Sequence, residues 1–269
     1  MRRNIYDILS DRKIDISVEY NRIYDLFYCK GIANGWGKPI TIENVVSAKF
    51  CELNKKLIGR CLSLEDFNNT YKFFFKKQKE DVDIDLLISF SEYVFNFVFA
   101  VLPCAPTILG DISELHSILL HISDCMDEIG YKITEKESFF IIVEKNAAAI
   151  AVAEVSDKGL AGDILEYNHH KLKGNLSEKK NILKNMADDI EPQRNRLKQI
   201  NASFTSDLFQ LMNRFIRHNS VGNSYISSIS KSELENIYDE IYQMWLLAKM
   251  QLEYSEKANY IAGIIKKLN

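Results

Sequence analysis

The segment 213–219 (NRFIRHN) contains two arginines and a histidine, Arg214, Arg217 and His218. Arg214 and His218 lie four positions apart, so a helix would place both on one face. Arginine can stabilise the charge that develops on a phosphodiester during cleavage, and histidine can move a proton to or from the reacting oxygen. The segment is therefore a candidate catalytic site. A structural role is the alternative, because Arg217 and His218 would also complement the carbonyl end of a helix.

A second candidate site is the segment 166–171 (EYNHHK), which holds a pair of adjacent histidines. In a helix, Glu166 would face His169 and His170, which follow it by three and four positions. A carboxylate in contact with a histidine orients its tautomer, as a general base requires. Adjacent helical residues point about 100° apart, so the two imidazoles do not predict a metal site, and no cofactor is expected. Alternatively, the histidines and Lys171 complement a helix dipole.

The stretch 171–198 is densely charged, and its basic residues outnumber its acidic residues eight to four. If it lies beside the two histidine segments, it could bind an RNA backbone. The candidate nucleic-acid-binding residues are Lys171, Lys173, Arg194 and Arg196. A pair of solvated helices is the alternative explanation. Because the whole chain has a net charge of -3, nucleic-acid binding would depend on a local patch of this kind.

The segment NRFIRHN, preceded by an apolar helix, resembles the HEPN superfamily of small helical bundles found in prokaryotic toxin–antitoxin and abortive-infection systems. More broadly, residues 145–260 are similar to the C-terminal part of abortive-infection-like proteins of Firmicutes. The nuclease motif of the family is an arginine followed by a histidine after a slightly longer spacer than the three residues found here. Phe215 also stands where the family often has a polar residue.

The resemblance implies a HEPN-like bundle that forms a homodimer with the motif near its interface. It also implies a metal-independent endoribonuclease that acts on RNA, or works with a cognate partner protein, in phage defence or toxin–antitoxin pairs. The catalytic residues would then be Arg214, Arg217 and His218, supported by Glu166, His169 and His170. The alternative hypothesis is a non-catalytic interaction, scaffold or sensor protein, in which the polar motif is a helix cap or a dimer contact.

The scarcity of chain-breaking residues predicts long helices. The 11 glycines and 4 prolines make up about 6% of the 269 residues, roughly half of average usage. Residues 131–143 (YKITEKESFFIIV) are the exception, because β-branched and aromatic residues flank a polar tip, as in a β-hairpin. The predicted fold class is mainly α, a multi-helix bundle that is HEPN-like in its C-terminal part, with a single small β-hairpin near 131–143.

Apolar periodicity, capping residues and breakers predict where the helices lie. The segment 30–41 (KGIANGWGKPIT) has the clearest loop composition in the chain. The predicted helices cover 43–57, 63–78, 84–102, 112–129, 147–155, 157–170, 176–189, 191–200, 203–218, 230–254 and a last segment that ends at residue 269.

Two prolines predict a domain boundary. Pro103 and Pro106 stop the apolar helix 84–102, which favours an N-terminal helical region, 1–110, followed by a C-terminal bundle, 111–269. The two regions could also form one continuous domain.

The helix 84–102 approaches the length needed to span a membrane, but Asp85 and Glu92 lie within it. A carboxylate near mid-span costs ~2.5–3.5 kcal/mol on insertion scales. A core helix of a soluble protein is therefore favoured, with no membrane partner. The five cysteines are dispersed and show no paired spacing, which predicts a reducing cytoplasm as the location of the protein.

Overall fold

The structure of the protein is a computed structural model that describes residues 14–34, 37–217 and 228–268. The chain divides into two compact units, Met1–Glu144 and Lys145–Asn269, and each is described by itself. Helices dominate both units, and the strands form two small antiparallel ladders in the first. The prediction of a mainly α protein with a small β-hairpin is confirmed.

The first helix described in this unit is extended by a π-helical turn, Asp25–Cys29. Several of its helices begin at a polar residue whose side chain accepts a hydrogen bond from a backbone N–H of the first turn, as Asp15 and Ser63 do. The elements are α1 (Ile16–Tyr24), β1 (Ile32–Ala33), β2 (Pro39–Ile40), α2 (Ile42–Lys49), α3 (Lys55–Ile58), α4 (Leu64–Tyr71), α5 (Ile84–Val101), α6 (Pro106–Leu109), α7 (Ser113–Glu128), β3 (Tyr131–Lys136) and β4 (Phe139–Glu144).

Helix α5 is the central helix of the first unit and is apolar on most of its sides. It packs in one core with residues of α1, α2, α7 and β4. Among the described helices, α5 alone is long and apolar enough to cross a membrane, and 61% of it is buried inside the protein. Its most deeply buried side chains include Leu87, Phe90, Val94, Phe97 and Val101.

Strands β3 and β4 form the predicted hairpin, in a register that pairs Tyr131 with Glu144 and Lys136 with Phe139. Glu137 has a positive φ of 56° and makes the tight turn between them. An isolated two-stranded hairpin is at best marginally stable in water. This one is stabilised by packing, because Ile142 is fully buried in the core that contains α5 and α7.

The second unit contains helices together with two short 3-10 turns, His170–Leu172 and Glu191–Gln193, and a π-helical turn, Met212–Arg217. Its core is centred on Trp245, whose buried Nε1 donates a hydrogen bond to the carbonyl of Met186 at 2.7 Å. The helices are α8 (Ala147–Glu154), α9 (Lys158–Glu166), α10 (Leu176–Ile190), α11 (Arg194–Ile200), α12 (Ala202–Leu211) and α13 (Lys231–Leu268).

The division between the units differs from the predicted boundary at residue 110. After Pro103 and Pro106 the chain turns through α6, and α7 packs against α5, so 111–144 belongs to the first unit. The chain passes to the second unit at Lys145, where Asn146 caps α8. No glycine or proline marks this position, so breaker residues gave the wrong boundary.

Several other segments also differ from their predicted limits, and the predicted helix 43–57 is divided into α2 and α3. Helix α4 ends at Tyr71, because Lys72 adopts a left-handed conformation and Phe73 follows in an extended chain. Within the predicted loop 30–41, β1 and β2 pair over two residues each. The two predicted helices after residue 230 are one continuous helix, α13, of 38 residues.

Candidate functional site

The guanidinium of Arg217 is held inside the second unit by the end of α10. Its Nη1 is bonded to Glu191 Oε2, and its Nη2 donates to the carbonyl of Ala187 at 2.6 Å and to Asp188 Oδ1 at 3.2 Å. The side chain is 20% exposed. Arg217 therefore pairs with two carboxylates and adds a second donor to a carbonyl in the last turn of α10, the structural role that the sequence left open.

Arg214 lies in the same π-helical turn but is exposed, whereas Arg217 is partly buried. The backbone hydrogen bonds of a π-helix join residues five positions apart, whereas those of an α-helix join residues four positions apart. The α-helical spacing assumed for the nuclease motif is therefore not present over these residues. His218 and Asn219 lie outside the described residues. The structure thus places Arg214 and Arg217 in different environments.

Glu166 does not share a helix with the two histidines. Helix α9 ends at Glu166, and His169 begins a 3-10 turn, where its Nδ1 accepts a hydrogen bond from the backbone N–H of Lys171 at 3.2 Å. The rings of His169 and His170 lie 4.6 Å apart between centroids, and His169 is buried. The prediction of an i, i+3 and i, i+4 helical arrangement is therefore wrong, because the helix stops before the histidines.

The candidate RNA-binding arginines also contact the protein itself. Arg196 donates to Ser255 Oγ at 2.6 Å and forms an ion pair with Glu256 at 2.7 Å. Arg194 lies over the ring of Phe209, with its Cζ 4.8 Å from the ring centroid. Both guanidinium groups help to pack α11 against α12 and α13.

The two candidate lysines, Lys171 and Lys173, lie in and directly after the 3-10 turn and are exposed. The four residues proposed from the sequence as a nucleic-acid surface thus differ in environment. Two exposed lysines remain at the surface, and the two arginines contribute to the packing of the bundle.

Among the described ion pairs of the second unit, those of Lys179 have the most buried cation, and the sequence offered no reason to single out this residue. Its side chain is 8% exposed, and its Nζ lies 2.8 Å from Glu235 Oε1 and 2.7 Å from Asp239 Oδ1. Glu235 also accepts a hydrogen bond from the backbone N–H of Gly174 at 2.7 Å. The pKa of Glu235 is lowered, because these contacts outweigh the opposing effect of its burial.

Two tyrosines extend this network into the core. The rings of Tyr167 and Tyr242 stack 4.1 Å apart, and Tyr167 Oη donates to Asp239 at 2.9 Å. Tyr242 Oη donates to the carbonyl of Ile164 and accepts from the amide of Asn168. Burial raises the pKa of both hydroxyls above the ordinary range, so they remain hydrogen-bond donors at neutral pH.

A sequence signal for this network exists, since Glu235 and Asp239 are four positions apart and share a face of α13. Their partner, however, lies on another helix, sixty positions before Asp239. The network is fully bonded, and the tyrosine pKa values are displaced away from neutrality. Its chemistry suits a fixed structural contact rather than proton transfer.

The first unit contains a cleft of about 530 Å³ between α1 and α7. Here His121 Nε2 lies 2.8 Å from Glu19 Oε2, and Glu19 also pairs with Arg22 at 2.7 Å. A histidine–carboxylate contact in a cleft can exchange a proton with a bound molecule. The sequence alone does not indicate this contact, because the carboxylate partner of His121 is 102 positions away.

Further carboxylates, from Asp15, Asp124 and Glu128, line the same cleft. Their ligand atoms do not converge with those of Glu19 and His121. Among the described residues of this unit, no three ligand atoms from histidine, cysteine, aspartate or glutamate lie within 4.8 Å of one another. The cleft is therefore an open acidic surface rather than a preformed metal centre.

The comparisons with known proteins identify no relatives. No family model, no curated protein and no solved structure matches the chain. The resemblance to the HEPN superfamily therefore stays a prediction from the sequence, and functional conclusions depend on the geometry of the two units.

Proposed function

We propose that this protein is a non-catalytic helical interaction protein, in which Arg217 of NRFIRHN and the arginines of the charged stretch 171–198 serve mainly to build the second unit. The observation that carries the proposal is the set of contacts made by Arg217 with Glu191, Asp188 and the carbonyl of Ala187. An arginine that stabilises a phosphodiester must direct its donors at the substrate. Here two of the three guanidinium nitrogens bind protein acceptors.

The energetics favour this structural role. Redirecting Arg217 towards RNA would break its ion pairs with Glu191 and Asp188 and its hydrogen bond to the carbonyl of Ala187. A hydrogen bond that involves a charged group contributes ~1.5–3 kcal/mol. RNA binding would have to supply that free energy in addition to the cost of ordering the complex.

Two further basic residues of the charged stretch 171–198 are held by contacts within the unit. Lys179 and Arg196 form ion pairs within the unit, at 2.7 Å to Asp239 and 2.7 Å to Glu256 respectively. Affinity for a nucleic-acid backbone rises with the number of phosphates that lysine and arginine neutralise. Two exposed lysines, Lys171 and Lys173, would supply little of that affinity.

The interaction role is supported by the exposed end of α13. Tyr254, Tyr260 and Leu268 are large apolar or aromatic side chains that are 64%, 72% and 80% exposed. Clusters of exposed apolar side chains on a folded protein mark surfaces that bind another molecule.

The test compares RNA cleavage and RNA binding by the purified wild type with those of Arg214→Ala, Arg217→Ala and His218→Ala. We expect no cleavage by any of the four proteins and no binding at physiological salt. Arg217→Ala should lower the free energy of unfolding by ~1–3 kcal/mol, and the exposed control Arg214→Ala should change it by less than ~0.5 kcal/mol.

The ribonuclease hypothesis predicts the opposite pattern. If the wild type cleaves RNA and His218→Ala abolishes cleavage without altering the thermal unfolding midpoint, the non-catalytic proposal is wrong. Equal cleavage by both would indicate a contaminating nuclease, which an independent purification of the two proteins would remove.

A further inference from the structure

Helix α13 continues well beyond the core of the second unit. Leu252 is its last buried residue among those described, and Glu256 forms an ion pair with Arg196 one turn later. The helix then runs on to Leu268. At 1.5 Å per residue, this extension is about 18 Å long.

Most large apolar residues of α13 from Met250 onwards lie at positions a and d of a heptad repeat, and Tyr260 and Ile265 lie at the flanking positions g and e. Positions a and d of a heptad lie on one stripe of a helix, and a coiled coil buries that stripe against a partner helix. Four of the apolar side chains in the stripe, Met250, Tyr254, Ile264 and Leu268, are more than 40% exposed. Position a is taken by Tyr254, Ile261 and Leu268, and position d by Met250, Lys257 and Ile264.

An extension of this length has little stability of its own. Isolated helices shorter than ~12–15 residues are marginal in water even when their sequences are favourable, and Gly263 lies within this one. Most helical stability in proteins comes from packing of an apolar face. A continuous α13 with an exposed apolar stripe is therefore a helix that requires a partner.

We propose that residues 250–268 pair with the same segment of a second copy of this chain in an antiparallel coiled coil. This inference names the partner of the interaction protein proposed above and rests on that proposal. The two copies would be related by a two-fold axis, so each contact occurs twice.

Lys257 determines the direction of the pairing. In a parallel pair its ammonium at position d would face the partner's Lys257, and like charges would meet in the interface. In the antiparallel pair each Lys257 instead lies opposite the partner's Ile261. Its Nζ can there retain the ion pair that it makes with Glu253 of its own helix at 2.6 Å.

The flanking positions complement one another in the same arrangement. Positions g meet across an antiparallel pair, so Glu253 lies beside the partner's Lys267, and the symmetry repeats this contact. The apolar layers also match in this register, because Met250 lies opposite the partner's Leu268 and Tyr254 opposite the partner's Ile264. Both the charges and the apolar pattern of residues 250–268 therefore complement the same segment of a second copy of this chain.

Sedimentation velocity on the full chain tests the pairing. The wild type should be a dimer in the micromolar range, and Ile264→Asp should weaken dimerisation more than ~100-fold, since a buried apolar layer is lost. Ala262→Glu, on the exposed opposite side of the same helix, is the matched control and should leave the dimer intact. Circular dichroism checks that the bundle remains folded.

A charge exchange tests the register. Glu253→Lys alone should weaken the dimer, and the double variant Glu253→Lys with Lys267→Glu should restore it. The antiparallel register would be wrong if Ile264→Asp disrupts the dimer but the double variant does not recover the affinity lost in Glu253→Lys.

A monomeric wild type, whether or not it binds lipid vesicles, would overturn the pairing itself. That result would leave the non-catalytic proposal standing if RNA is neither bound nor cleaved. Conversely, RNA cleavage that depends on His218 would refute the non-catalytic proposal whatever the oligomeric state, so the two failures are distinguishable.

Discussion

The side-chain amide of Asn96 bonds both backbone groups of Phe140, joining the central helix α5 to the hairpin. Asn96 Nδ2 donates to the carbonyl of Phe140 at 2.8 Å, and the N–H of Phe140 donates to Asn96 Oδ1 at 2.7 Å. The amide thus pairs with β4 much as a neighbouring strand would. This contact explains how a two-stranded hairpin is held in place by helices.

Asn96→Leu is expected to lower the free energy of unfolding by ~2–4 kcal/mol, since it leaves two partly buried backbone groups of Phe140 without partners. Urea unfolding followed by circular dichroism measures this change. Leu120→Ala, at a 65% exposed position of α7, is the control and should have an effect below ~0.5 kcal/mol. An equally small effect of Asn96→Leu would mean that the amide does not hold the hairpin.

Lys179→Met tests the buried ion-pair network of the second unit. The substitution preserves most of the side-chain volume but leaves Glu235 and Asp239 facing each other without a cation. We expect the free energy of unfolding to fall by ~2–3 kcal/mol. This is no more than the smallest loss typical of a broken buried ion pair, because Asp239 is half exposed. Lys184→Met, at an exposed position of the same helix, is the matched control.

The lowered pKa of Glu235 predicts a pH dependence of stability. Its pKa in the folded protein lies below the ordinary value of 4.5, so its stabilising effect is complete above that value. The effect is lost as pH falls through the folded pKa. Wild-type stability should therefore fall more steeply than that of Glu235→Gln between about pH 5 and pH 3. Parallel pH profiles of the two proteins would contradict this assignment.

The cysteines should differ in reactivity towards a thiol reagent. Cys29 and Cys51 are exposed, whereas Cys125 is 4% exposed and burial raises its pKa to about 12. Because the thiolate is the nucleophile, Cys125 should be labelled at pH 8 only after unfolding. Mass spectrometry of briefly labelled native protein identifies the modified residues. Rapid labelling of Cys125 would show that α7 opens readily.

Predictions based on local pattern were the most accurate ones. The hairpin was located within a residue at either end, because β-branched and aromatic residues on both sides of a polar tip are a short-range signal. The aromatic run after residue 70 was less informative. Phe73 and Phe75 pack against the core while Phe74 is exposed. This alternation is typical of an extended chain, whereas the sequence predicted that the helix 63–78 includes these residues.

The sequence by itself determined the helical fold class and the β-hairpin, since both depend on residue types within short segments. It could not determine the roles of individual charged residues. Arg217 binds a carboxylate 26 positions away and His121 one 102 positions away. Local spacing carries no information about such partners. Only the tertiary structure, by bringing these segments together, decided which cations stabilise the fold and which remain at the surface.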